Sequence, residues 1–193
     1  MDDYPIIDVS DLLRASHIKR WHIVQTSRGQ TLAEHCYNVT TIALALYDKL
    51  VGIDVDAASH EICILAISAL YHDATEIRTG DIPTPGKRLI KHFGVESIFN
   101  NLEQQINPEV PFLHTPHRKY LNNFIKMADS IDAAVWIREN GVGARAQEVA
   151  ARCWHAMEEL VQQLTTETGG DWHTAVNGIL TAMLAPRLSS NLS

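Results

Sequence analysis

The chain has 193 residues, enough for one domain of ordinary size, and 46% of them are apolar, enough for a sizeable core. A net charge of −7 argues against a general nucleic-acid binder, which needs a basic surface to displace counterions. No apolar run approaches the roughly 18 residues a membrane helix needs, and Cys36, Cys63 and Cys153, far apart and odd in number, suggest reduced thiols rather than a disulfide framework or thiolate metal site.

The opening segment, MDDYPIIDVSD, has acidic residues where a secretory signal has basic ones, so a cytoplasmic protein is expected. The spacing predicts a short helix over residues 9–19, capped by Ser10, with Leu12, Leu13 and Ile18 on one side. Residues 20–30 read as a loop ending at Gly29. Thr31 and Glu34 match a capping box that opens a helix running to about Leu50. Its apolar stripe includes Val39, Ile42, Ala43 and Leu46, and Gly52 ends it. A third helix is predicted from Asp56 to about Ile77, and its apolar stretch from Ile62 to Leu70 marks it as the central buried helix. Proline and glycine make 79–86 a loop. Short helices are predicted over 86–93 and 95–106, followed by a loop around Pro108 and Pro111. Longer helices follow over 117–139, ending at Gly141, and over 144–167, stopped by Gly169-Gly170. Asp171 caps a last helix to about residue 185. Strand patterns are almost absent, so the expected fold is all-α, one domain over residues 1–193.

The sharpest local feature is Tyr71-His72-Asp73-Ala74-Thr75-Glu76, at the end of an apolar helix and before a Pro/Gly-rich loop. On a helix His72 and Glu76 share a face, with Asp73 beside them, and such a cluster suits a cation. The same residues could equally serve as a hydrogen-bonded helix end. His35 shares the apolar stripe of its helix and should point inward. Asp129 falls on a face with Ile125, Ala133 and Trp136 and should do the same. A buried carboxylate needs a partner. A divalent ion placed between His35, His72-Asp73 and Asp129 satisfies all three helices at once.

This ordered pattern, H…HD…D across three helices, resembles the HD-domain phosphohydrolases, and most closely their small 5′-deoxynucleotidase group, which includes phage dATP triphosphohydrolases. The resemblance runs from about residue 10 to residue 140. It is carried by Arg20-Trp21, Ala33-Glu34-His35, the Tyr71–Glu76 stretch, Thr79-Gly80-Asp81-Ile82-Pro83-Thr84-Pro85 with Lys87, and Lys126-x-x-Asp129. It implies a helical bundle with the metal site between central helices and His35, His72, Asp73 and Asp129 as ligands. It also implies Glu76 as the acid/base or water-orienting group acting with Asp73. Arg20, Lys87 and Lys126 would hold phosphate oxygens, and Trp21 would pack on the deoxyribose. Nitrogen and oxygen ligands suit cobalt, manganese, zinc or iron(II).

Such relatives divide between deoxynucleoside monophosphates and dATP, and both attack the α-phosphorus. Arg78, Arg88 and Lys91, near Lys87, fit a longer phosphate tail, although cations at helix ends are commonly just solvated. His22 and Ile23, directly after Trp21, are candidates to line the base, and Pro85 is a candidate for the substrate pocket. The reading preferred here is a dNTP triphosphohydrolase that releases triphosphate. A 5′-deoxynucleotidase acting on dNMPs is the alternative, and a non-catalytic nucleotide sensor a second one. The expected partners are a deoxynucleotide and further copies of the chain, with no nucleic-acid polymer and no membrane. The expected setting is the cytoplasm of a bacterium or a phage-infected host.

Overall fold

A computed structural model describes residues 7–53, 59–95 and 120–185. Helices are the regular structure among these residues, and isolated β-bridges pair Lys19 with Thr31 and Thr26 with Gly141. The helices are α1 (Val9–Leu12), α2 (Leu32–Leu50), α3 (Ser59–Leu70), α4 (Glu76–Thr79), α5 (Thr84–His92), α6 (Leu121–Asn140), α7 (Gly143–Thr168) and α8 (Trp172–Leu184). No helix among the described residues is long and apolar enough to cross a membrane.

The predicted helix over 9–19 is broken in two. Asp8, not Ser10, caps α1, by accepting from the Asp11 amide, and a 3₁₀ turn over Leu13–His17 follows. Ser10 instead donates its hydroxyl to Asp8. Thr31 caps α2 as expected by accepting from the Glu34 amide. The other half of the capping box is missing, because the Glu34 carboxylate pairs with Arg28 at 2.7 Å. Asp171 caps α8 and Gly169, with φ of 71°, closes α7 in the left-handed conformation that glycine adopts without strain. The expected Asp56 cap, the helix over 95–106 and the loop at Pro108 and Pro111 lie outside the described residues.

The core forms where α2, α3, α6, α7 and α8 meet. The most enclosed helix is α6 and not α3, a correction to the reading from hydropathy. Leu121, Phe124, Met127, Ala128, Ile131, Ala134 and Val135 of α6 are all buried. α6 packs against α2 on one side and α7 on another, whereas α3 leaves Cys63 and Leu70 exposed. α3 has the more uniformly apolar sequence, but a helix held between two neighbours loses more surface to water than one at the edge.

The second correction concerns the end of α3. The helix stops at Leu70, and residues 71–75 form tight turns before α4. The Ala74 and Glu76 amides bond three residues back, to Tyr71 and Asp73. The His72 ring supplies the reason, because Nδ1 donates to the Ala69 carbonyl at 2.8 Å and occupies an acceptor of the last turn. α5 begins two residues earlier than expected, since Pro85 in its first turn needs no amide partner.

The loop over 18–30 is pinned at both ends. Leu32 N–H donates to Ile18, Ser27 N–H to Asn140 at 2.7 Å, and Val142 N–H to Gln25. A Cβ added at Gly141 would lie 2.5 Å from the Ile137 carbonyl oxygen and 2.8 Å from Ala146 Cβ, both hard to move. Gly141→Ala is therefore expected to cost about 1–3 kcal/mol, read as a lowered urea midpoint with an unchanged m-value.

Candidate metal centre and active site

The seam between α2 and α6 carries polar groups where the rest of the core is apolar. His35 is completely buried, and Asp132 is 2% exposed. The two side chains meet across the seam, and Asp132 is tolerable there because both of its oxygens accept hydrogen bonds. Asp132 Oδ2 faces His35 Nδ1 at 2.7 Å and accepts from Gln30 Nε2 at 2.8 Å, while Oδ1 accepts from Asn38 Nδ2 at 2.8 Å. A carboxylate can only accept, so the His35 proton sits on Nδ1 and the Nε2 lone pair faces the opposite way.

His72 is set the same way by a different device. Its Nδ1–H donates to Ala69, so its Nε2 is also the bare nitrogen. Neither Nε2 has a hydrogen-bond partner, although both atoms are buried. His35 Nε2 lies 3.3 Å from Asp129 Oδ1 and 3.6 Å from Asp73 Oδ2, and His72 Nε2 lies 3.4 Å from Asp73 Oδ2. One ligand atom each from His35, His72 and Asp129 falls within a 4.8 Å span. Two buried, unpartnered imidazole nitrogens facing carboxylate oxygens form a donor set that a divalent cation fits.

Electrostatics point the same way. Burial disfavours a charged His35, but its contacts with Asp129, Asp132 and Asp73 outweigh that and lift its pKa to about 10. Without an ion the ring therefore takes a second proton, at Nε2, and a cation there supplies the same positive charge. Burial pushes the Asp73 carboxyl up, yet His35, His72 and Arg20 together hold it well below the usual carboxylate range. Asp129 is also lowered, against partial burial, by His35 and His72. The inward placement expected for Asp129 holds only in part, since 46% of its side chain is exposed.

Glu76 lies beside this group. Burial first, and the Asp73 charge second, push its pKa up to about 7, with Lys87 and Arg20 opposing. Lys87 Nζ approaches Glu76 Oε1 at 3.0 Å, and Arg20 reaches Asp73 Oδ2 at 3.1 Å and Glu76 Oε2 at 3.8 Å. The buried Arg20 Nε has no hydrogen-bond partner. Trp21 stacks on Trp136, with ring centres 5.5 Å apart and planes 8° from parallel, and its indole N–H donates to Gln30.

The other expected residues are less engaged. Lys126 is exposed, one turn before Asp129 on α6. Pro85 is exposed in the first turn of α5, and Ile23 is 54% exposed beyond Trp21. Arg78, expected near a phosphate tail, is bound to Asp11 and ties α1 to α4. Asp132, Gln30 and Asn38 were not singled out from sequence as parts of a site. Asp132 could have been, because it falls on the same helical face as the apolar Phe124, Ala128 and Val135, and a carboxylate there also needs a partner.

Residues 9–165 match the family model described as 5′-deoxynucleotidase YfbR-like. A protein of Cyanophage S-2L named dATP triphosphohydrolase is 35% identical over 144 residues, covering 75% of this chain and 77% of the relative. The 5′-deoxynucleotidase YfbR of Shigella flexneri is 34% identical over 88 residues, covering 44% of this chain and 40% of the relative. Among solved structures, the Cyanophage S-2L HD phosphohydrolase bound to dA and one catalytic Zn²⁺ ion superposes with a TM-score of 0.72 at 28% identity, covering 92% of this chain and 96% of that one.

Two expected outcomes follow from the site's geometry. Asp132→Asn places an amide against His35 and Asn38, which mismatches one of the two pairings. Zinc affinity should drop about 10- to 100-fold by calorimetry while the helical circular dichroism stays unchanged. Glu76 has a folded pKa near 7, above its ordinary 4.5. Its contribution to stability is therefore present below about 4.5 and is lost as pH rises through about 7. In chelator-treated protein at pH about 8, Glu76→Gln should raise the unfolding free energy by on the order of 1–2 kcal/mol, and the gain should vanish near pH 4.

Proposed function

The chain belongs to the YfbR-like family of HD phosphohydrolases, and from that premise we propose that it is a metal-dependent enzyme hydrolysing 2′-deoxynucleotides at the α-phosphorus. The observation that carries the reading is the pair of buried, unpartnered Nε2 atoms of His35 and His72 facing Asp73 and Asp129. The preferred substrate is dATP, released as deoxyadenosine and triphosphate. This choice is supported by the phage dATP triphosphohydrolase, which aligns over three quarters of the chain, while the YfbR 5′-deoxynucleotidase aligns over less than half. Hydrolysis of deoxynucleoside monophosphates is the second reading.

In this mechanism His35, His72, Asp73 and Asp129 would hold a divalent ion, with zinc the first to test because the solved relative carries one. Such an ion supplies Lewis-acid polarisation of a phosphoryl oxygen and makes a water more acidic. Arg20, whose guanidinium lies against Asp73 and Glu76, is the cation proposed to donate to a phosphate oxygen, and Lys87 lies beside it to balance charge spread over the equatorial oxygens. Lys126, one turn from Asp129, is placed for the same work. Glu76 takes the proton of the attacking water and returns it to the leaving group. Trp21, backed by Trp136, presents a rigid ring to the deoxyribose, with Ile23 and Pro85 at the rim. Arg78 is left a structural part, holding Asp11.

Residues 1–193 are taken as one domain. Exposed Leu13, Tyr37, Leu89 and Phe93 support self-association of the chain.

A panel of dNMPs, dNTPs and NTPs with zinc, cobalt or manganese, with products separated by chromatography, tests the reading. Intact triphosphate and deoxyadenosine from dATP are expected, and orthophosphate from dNMPs alone would replace the preferred substrate with the second. His72→Ala and Asp73→Ala should lower turnover by at least about a thousandfold while the helical content persists. Full activity in either would refute the mechanism.

A further inference from the structure

We infer that Gln30 is a positioning residue that couples the Arg20-Trp21 pair to the metal-binding histidine His35. The inference builds on the proposed roles of Arg20, Trp21 and His35 and goes beyond them, because Gln30 touches neither metal nor nucleotide in that scheme.

Gln30 is a loop residue, yet its side chain is completely buried. A primary amide is costly to bury unless its donors and acceptor are met. Here the main-chain carbonyl and both polar atoms of the side chain have partners. The main-chain carbonyl accepts from the Arg20 amide at 2.9 Å. The side-chain Oε1 accepts from Trp21 Nε1–H at 2.7 Å, and Nε2 donates to Asp132 Oδ2 at 2.8 Å. The amide orientation is fixed by chemistry, since an indole nitrogen only donates and a carboxylate only accepts.

The oxygen reached by Gln30 is the one that faces His35 Nδ1 at 2.7 Å. A continuous path therefore runs from the Trp21 ring through Gln30 and Asp132 to the imidazole whose Nε2 faces Asp73 and Asp129. Trp21 itself has φ of 66°, a left-handed conformation that a side-chain-bearing residue rarely holds. The bond to Gln30 and the stack on Trp136 keep it there. Displacing Trp21 pulls on Gln30, and reorienting Asp132 pushes back on Trp21. Through this path the group that selects the sugar is referenced to the group that holds the ion.

Two readouts test the coupling, one without turnover. In ¹⁵N-labelled, chelator-treated protein, the Trp21 indole resonance is assigned by its absence in Trp21→Phe. Zinc addition should shift it in the wild type, and in Gln30→Met that shift should shrink at least about threefold while zinc still binds. In kinetics, Gln30→Met and Trp21→Phe should each lower the deoxy-to-ribo ratio of kcat/KM about tenfold, and the double variant should fall no further. An unchanged zinc-dependent shift in Gln30→Met, or losses that multiply in the double variant, would overturn the inference. If Gln30→Met does not fold, Trp21→Phe removes the donor together with half of the indole, and full discrimination in it would be equally fatal. A wild type that hydrolyses no nucleotide would remove the proposed function, and the resonance test would still decide the coupling.

Discussion

The 2.7 Å contact between His35 Nδ1 and Asp132 Oδ2 joins two helices across the middle of the core and fixes the chemistry of one ring. An imidazole has two nitrogens, and which of them keeps a lone pair depends on what the other one touches. Asp132 settles that for His35, and the Ala69 carbonyl settles it for His72. The rest of the site depends on those two choices. Both bare nitrogens then face the carboxylates of Asp73 and Asp129. With either ring in the other tautomer, an N–H would point into the place where an ion is needed.

The charge pattern explains why such a cluster survives inside an apolar bundle. Asp73, Glu76 and Asp129 crowd one region, and Arg20 and Lys87 are drawn against them. Burying like charges together raises the energy of the ion-free state, as the lifted Glu76 and the proton-retaining His35 both indicate. A divalent cation relieves that crowding. Helices α2 and α6 keep it rigid, because both carry apolar residues on either side of the polar seam.

Much of this was legible in the sequence. The capping residues Thr31 and Asp171, the closing Gly169 and the apolar stripe of α2 are local signals, and each acts through neighbours a few residues away. The placement of His35 followed from helical phase alone, because its helix continues unbroken. His72, Asp73 and Glu76 were harder. The sequence 71–76 is compatible with a continuing helix, and what stops it is a side-chain bond from His72 to Ala69 that no periodicity reveals. The enclosure of α6 over α3 depends on which helices flank it. Arg78 looked like a free cation in sequence, and its partner Asp11 is 67 residues away. Gln30 was invisible for the same reason, since its importance rests on Asp132, 102 residues further on.

The central claim is that nitrogen of two histidines and oxygen of two aspartates hold the ion. X-ray absorption at the zinc K-edge of zinc-loaded protein measures that shell directly. The account predicts two imidazole nitrogens at about 2.0–2.1 Å, with the remaining ligands oxygen at about 2.0–2.2 Å. A sulfur shell at about 2.3 Å, or a spectrum unaltered in His72→Ala, would contradict it.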